Sequence, residues 1–478
     1  MRKSFTFNGI RKPWLHMTRG RNKPPFAPIK RNLVKVSGMP GAHLGGTEIE
    51  PVSFGQPIAF KYKDDAHDMQ LKDELASWLI TDYPASLEFD DEPGRTYYGY
   101  VQNTLDDLGK MARLREGTIQ FLCLDPFGYG EEDEEYLPSD RAVLIDNIGT
   151  ADASPTFELD VLKKITYALV AKDDSEYMMI GRPFDVDNQE YEKYETVMFD
   201  DASSTTGWTA ANAGEINGTI AGSMSSNGYR FQTVDYGVGS SWHGPAIKQG
   251  LSDPVSDFRV ETKMTFRNTE AADIGRAEVY GLDVNGNQLF KLAMKDILGG
   301  KRQSFGEARV GGGVTNHFLI SESGDKGWEW NEFEGVLRIE REGREWKAYI
   351  AQITDGSHTA SRTSDVWTDH QGRFTAELAQ VVVHTAKNGT YQAPNQGIDS
   401  VRVEKINHRH TGVPYIAGPG DRISFDHKTE EIFINGELRK DLKNLGAHHF
   451  LLPPGYNTLS LLPSGGVQGV VKWKPTYY

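Results

Sequence analysis

A chain of 478 residues, 38% hydrophobic and 11% aromatic with a net charge of -15, carries material for about three domains with true cores and is too aromatic for a disordered polymer. It has no apolar run of the about 18 residues that a membrane helix needs, and its start, "MRKSFTFNGI", lacks the apolar core of a secretory signal. The single cysteine, Cys123, excludes an internal disulfide and a zinc–thiolate cage and fits synthesis in a reducing cytoplasm.

The first block runs over residues 1–130. It opens basic: between Met1 and Thr47 there are ten Lys or Arg and no acidic residue. Edge strands and loops facing an acidic surface explain this. The acidity of the rest argues against nucleic acid, and the prolines of "KPPFAPIKR" argue against a helical transit peptide. "SFTFNG" places Phe5 and Phe7 on one face and ends in the hairpin signal Asn8-Gly9. "DDAHDMQLKDELASWLI" is the one convincing helix here, with Met69, Leu71, Leu75, Trp78 and Leu79 mostly on one side and Asp64 or Asp65 as the cap. Strands return with "ASLEFDDEPGRTYYGYVQN" and "GTIQFLCLDPFGYG". The charge run "EEDEE" at Glu131 to Glu135 reads as a solvated linker.

A second block, residues 131–195, supplies about three strands, among them "YMMIGRP", too few to close a sandwich. In the third block, residues 196–406, period-two strands alternate with turns such as "DVNGNQ" and "REGRE", the pattern of a sandwich or jelly roll. The fourth block, residues 407–478, adds about five strands, again too few to stand alone. The second and fourth blocks together make a normal sandwich, so the third is expected to be inserted between two strands of one domain. The fold class is mainly β: an N-terminal sandwich-like domain with one helix, then an outer sandwich split by an inserted one.

The order and spacing of "FTFNG" (5–9), "SWLITDYPASLEFDDEPGRTYYGYV" (77–101), "IQFLCLDPFGYG" (119–130), "GDRISFDHKTEEIFING" (420–436) and "LLPPGYNTL" (451–459) resemble the distal tail proteins of long-tailed, non-contractile bacteriophages of Gram-positive bacteria. The resemblance covers the first, second and fourth blocks. It implies a structural, non-enzymatic hub of the virion tail tip, made in the host cytoplasm: a hexameric ring of N-terminal domains decorated by galectin-like outer domains. It also implies tail tube, tape-measure and tail-tip proteins as partners, the last including a tail-associated lysin or receptor-binding protein. The insertion resembles the carbohydrate-binding modules of enlarged members, which implies a host cell-wall polysaccharide as ligand and no membrane. Head-to-tail contacts between the basic N-terminal segment and acidic stretches such as "EFDDEPGR" suit a ring, and equally a charged monomer. The rival reading is a free-standing glycan-binding or glycan-hydrolysing protein.

Catalytic motifs are absent: no G-x-S-x-G, no phosphate loop and no H-E-x-x-H occur. Glu332 and Glu334 in "EWNEFEG" share a strand face, as a glycosidase pair would, but an ordinary surface strand follows them. His408 with His410, and His448 with His449, read first as polar junctions and only second as metal pairs. Sugar binding needs aromatic platforms with polar partners, and six of the nine tryptophans lie in the third block. Any one of them is first a core residue, and Trp346 looks like one. Trp242 in "GVGSSWHGP" and Trp328 in "SGDKGWEW" sit in Gly- and Ser-rich loops; they and Trp330 are the candidate platforms. Asp200 and Asp399, near the two ends of the insertion, are candidate ligands of a structural calcium; no other cofactor is expected.

Overall fold

The structure, a computed structural model, describes residues 3–18, 20–102, 109–111, 113–173, 176–184, 189–409 and 411–478. The chain is mainly β, as its periodicity requires. Asn8 and Gly9 both take positive φ, 51° and 72°, which lets a two-residue turn fold Phe5–Phe7 onto Ile10–Arg11. The sheet of the N-terminal domain continues through Ala85–Phe89, Thr96–Gln102, Leu114–Cys123 and Val52–Lys61. The helix Asp65–Leu79 is capped by Asp64, whose side chain accepts from His67 N. It buries Leu71, Leu75, Trp78 and Leu79 but leaves Met69 exposed. Trp78 stacks on Phe5, and its indole N–H donates to the Phe7 carbonyl at 2.9 Å, so helix and first hairpin share one core.

The basic N-terminal segment is largely answered within its own chain. Arg11 pairs with Asp90, and Arg21 with Asp91 and Glu92; these are carboxylates of "EFDDEPGR", for which the sequence leaves partners in a neighbouring copy and in the same chain equally open. One part stays apart. The hairpin Ile29–Val34 and His43–Ile49 forms its own two-stranded sheet and exposes Leu33, Val34, Met39 and Leu44.

The outer sandwich has a six-stranded and a four-stranded sheet. Thr156–Val161, from before the intervening segment, lies between Arg422–Asp426 and Val467–Trp473, from after it. Tyr167–Lys172 likewise joins Glu176–Gly181 to Gly455–Leu462. Phe157, Leu159, Met178, Phe425, Ile432 and Val471 meet in its core. The run expected as a linker is instead strand: Asp133–Leu137 pairs along Val467–Trp473 at the sheet edge. The reason is that alternate side chains of an edge strand face water, and charges there oppose edge-to-edge association. Nor does the chain finish in this sandwich. Thr476–Tyr477 pairs with Gly128–Tyr129 in the N-terminal sheet.

Between Gly181 and Val413 stands a third sandwich of two nine-stranded sheets. Tyr194 and Ile406, at its two ends, are cross-strand partners. Its core packs Phe258, Phe290, Trp330, Phe333 and Trp346.

Candidate functional site

Each sheet of the inserted sandwich has one outward face, and the two faces serve different ends. On the first, Arg338 lies opposite Glu261 and Tyr349. The tip of an outer-sandwich hairpin lands on this row. There Asn435 and Gly436 take positive φ, and Glu437 accepts two bonds from the Arg338 guanidinium, at 2.9 and 2.7 Å. His358 N adds a bond to the Gly436 carbonyl. A Cβ at Gly436 would meet the Gly356 oxygen at 2.1 Å, so only glycine fits the approach. Burial opposes the charge on Arg338, but Glu437 and Glu261 outweigh it and hold its pKa above the ordinary value.

The first face is thus a docking face, and the outward face of the second sheet lies on the opposite side of the sandwich. Cross-strand rows organise it. One runs Val382, Tyr280, Lys291, Arg309, Phe318. The next runs His384, Glu278, Ala293, Glu307, Ser321, and a third Ala386, Arg276, Lys295, Phe305. Residues 211–220 cover one end, where Ala211 and Ile216 pack on Tyr280, Leu282 and Val382. Toward the other end Phe318 and Ser321 are exposed and Lys295 is half-buried.

The charges of these rows are closely linked. Lys291 Nζ lies 2.6 Å from Glu307 and 3.4 Å from Glu278, Lys295 pairs with Glu307, and the Tyr280 hydroxyl donates to Glu278 at 2.6 Å. Burial favours the neutral acid at Glu278, but Arg276 and Lys291 overcome it and hold the carboxyl at about 2. Burial pushes the His384 imidazole down to about 4, so it is neutral near pH 7. Two arginines converge on Asn217: Arg276 donates to its carbonyl at 2.9 Å, and Arg309 to its side-chain oxygen at 3.0 Å. The Arg276 guanidinium also lies 4.0 Å from the ring centre of Trp242, a cation–π contact.

Of the three candidate tryptophans, the structure brings Trp242 to this face, half-buried against Arg276. Trp328 lies elsewhere, 64% exposed, in a recess of about 400 Å³ with Arg302, Glu329, Asn331 and Glu332. Trp330 is corrected: it is 0% exposed in the core, its indole N–H bonded to the Ala360 carbonyl, and it presents no face to a ligand. Two residues from Trp328 in sequence, it falls on the opposite side of a turn, which loop composition does not reveal. The two aspartates of the calcium expectation have protein partners. Asp200 accepts from Trp208 Nε1 and Ala202 N, while Asp399 is taken by Arg230 and Thr265, and among the described residues no group of three or more His, Cys, Asp or Glu side chains gathers as a metal site would.

Glu332 and Glu334 are exposed or nearly so and paired with Arg302 and Arg267. His408 bonds Asp257 at 3.0 Å; His410 lies outside the described residues. His449 packs edge-on against His427. The sequence reading missed Arg276, Glu278, Lys291, Glu307 and Arg309. Their signal was present in "RAEVYGL", "FKLAMKD" and "FGEARVG", where charges alternate with apolar residues on three successive strands.

Residues 11–123 match the family model of the phage tail protein RIFT-related domain, and residues 388–477 that of the siphovirus-type tail component, C-terminal domain. No curated protein matches the chain by sequence. Among solved structures, the Dit protein of phage SPP1, described as a paradigm of the hub adsorption apparatus in phages infecting Gram-positive bacteria, is 18% identical, with 38% of this chain and 76% of that one covered at a TM-score of 0.34. The CBM2 module of the evolved Dit of Lactobacillus casei BL23 phage J-1 is 17% identical, covering 46% and 99% at 0.38. A Bacillus licheniformis β-glucanase is 9% identical, covering 45% and 99% at 0.29. One tail-protein model thus falls on the N-terminal domain and the other runs from the last strands of the inserted sandwich through the closing strands of the outer one, in that order along the sequence, so the chain is similar at both ends to the tail proteins of siphophages.

Proposed function

We propose that the protein forms a hexameric ring at the tail tip, between the tail tube and the tape-measure and tip proteins, and that its inserted sandwich holds a host cell-wall polysaccharide without cutting it. The observation that carries this is a β-sandwich with its own core, set into the outer domain of a tail protein, clamped there by one face and bearing aromatic and charged residues elsewhere. Two features support binding over cleavage. Glu278 is fully buried and held ionised at about 2, so it has no proton to give a leaving group at neutral pH. Glu332 and Glu334 are each occupied by an arginine on an ordinary strand.

For the ring, the hairpin Ile29–Val34 and His43–Ile49 offers exposed Leu33, Val34 and Leu44 beside Lys30 and Arg31. A second copy of the chain, with its acidic edge strand Asp133–Leu137, supplies the complementary charge. Weak single sites on such a ring would gain roughly a hundredfold or more in avidity on a repetitive wall. Sedimentation velocity of the full chain, with pelleting on purified walls from a panel of Gram-positive bacteria, tests this. A sixfold mass and wall binding without release of soluble sugar are expected; a monomer that pellets with no wall defeats the reading.

A further inference from the structure

The outward face of the second sheet carries more positive charge than its own acids can balance. Arg276, Lys291, Lys295 and Arg309 meet only Glu278 and Glu307. Among the described residues no other carboxylate forms an ion pair with these four. Lys248 is already answered by Glu215 at 2.6 Å. His384 adds no charge near neutrality, and Tyr280 keeps its proton because burial beside Glu278 raises its pKa.

Two of the cations are arginines, 8% and 7% exposed. Both retain a buried Nε–H that lacks an acceptor. Burying unbalanced charge is costly, and an anion arriving at the face would offset it. Apolar surface stands beside the charges: Trp242 against Arg276, and exposed Phe318 with the Arg309 guanidinium 5.9 Å from its ring centre. Gly218 keeps the covering segment close, since a Cβ there would meet the Trp242 oxygen at 3.1 Å. Aromatic faces next to unbalanced guanidinium groups suit a sugar that bears a negative group.

We infer that this face, between Trp242 and Phe318, binds an anionic saccharide polymer whose phosphodiester or carboxylate groups are received by Arg276, Arg309 and Lys295. The inference rests on the glycan-binding reading above and adds the charge class of the ligand.

The test titrates the full-length protein with poly(glycerol phosphate), polygalacturonate and neutral dextran at low and high salt. One of the two anionic polymers is expected to bind, and which one binds identifies the group read. The affinity should fall about tenfold in high salt, as screening of charge contacts requires. Lys295→Gln and Phe318→Ala, both at the open end of the face, should each weaken binding several-fold with an unchanged melting temperature, and Trp328→Ala should leave it intact. Arg309→Gln adds a stronger loss if the variant folds. Binding of dextran alone overturns this inference and leaves the glycan reading standing; binding of no polymer removes support for both. Anionic binding unaffected by Lys295→Gln and Phe318→Ala also overturns the assignment of this face.

Discussion

Arg338 of the inserted sandwich grips Glu437 of the outer sandwich through both ends of its guanidinium, at 2.9 and 2.7 Å, while its Nε reaches Glu261 at 2.8 Å. The contact fixes the insertion at a further point besides the two chain crossings that carry it. Removing one partner of this part-buried pair leaves the other poorly compensated, at a cost below the roughly 3–5 kcal/mol of a fully buried pair. We expect Arg338→Ala to lower the melting temperature and to open the 436–437 hairpin to proteolysis. A double-mutant cycle with Glu437→Gln should return a coupling energy well above that of an exposed pair. No coupling would mean that the two sandwiches are not locked together here.

The tryptophans should separate cleanly. Trp330→Ala removes a side chain with no exposed surface and should cost about 3–5 kcal/mol in stability. Trp328→Ala, at an exposed position in the recess with Arg302 and Glu332, should leave the melting temperature within about a degree. Chemical denaturation of the two variants side by side checks this; equal losses would place Trp328 in the core as well.

Acid should destabilise both sandwiches through buried histidines. Burial lowers His384 to about 4, and His427, which accepts from Phe450 N at 2.8 Å, to about 3, each from 6.5. A group depressed in the fold contributes its full stability above the unfolded value and loses it as pH falls through the folded one. The loss therefore begins below about pH 6.5, and each histidine contributes about 1.4 kcal/mol per pH unit until it protonates. Glu278, held at about 2, adds a loss of the same sign below 4.5. Thermal scans from pH 7 to 3 should fall continuously, and His384→Gln should flatten the part between pH 6.5 and 4. A profile unchanged by His384→Gln would show that this ring is not what titrates.

Much of this layout is legible in the sequence because period-two alternation and turn residues act locally. Asn8-Gly9, Gly343 and Asn435-Gly436 announce hairpins before any tertiary contact is known, and the helix carries its own cap at Asp64. The opaque features depend on partners far away in the chain. Whether "EEDEE" is a linker or an edge strand is decided by Val467–Trp473, more than three hundred residues on. Likewise, Trp328 and Trp330 have nearly the same neighbours in sequence, and only packing between two sheets sends one outward and the other into the core. The charged face spans strands whose individual patterns are plain; what no single strand states is that their charges fail to cancel.

Excision of the insertion should be tolerated. Tyr194 and Ile406 are cross-strand partners, so a few Gly and Ser residues can bridge 194 and 406 at little entropic cost. The shortened chain should unfold cooperatively and keep the oligomeric mass of the parent while losing its wall binding. Loss of cooperative unfolding would mean that the outer sandwich depends on its guest.

The return of Thr476–Tyr477 to Gly128–Tyr129 also sets how the molecule bears a pull. The outer sandwich hangs from the N-terminal domain by two chains instead of one, the second secured by the Gly130 N–H bond to the Pro475 carbonyl and by Thr150 and Ala151 N–H bonds to the Thr476 carbonyl. The inserted sandwich is likewise carried by two neighbouring chains. Tension applied at its far sheet is divided at each junction between paired strands, and a twist about a single covalent linker is blocked. A particle that seizes a wall at this sandwich would thus pass the load, and the direction of the load, through a double suspension to the tail axis.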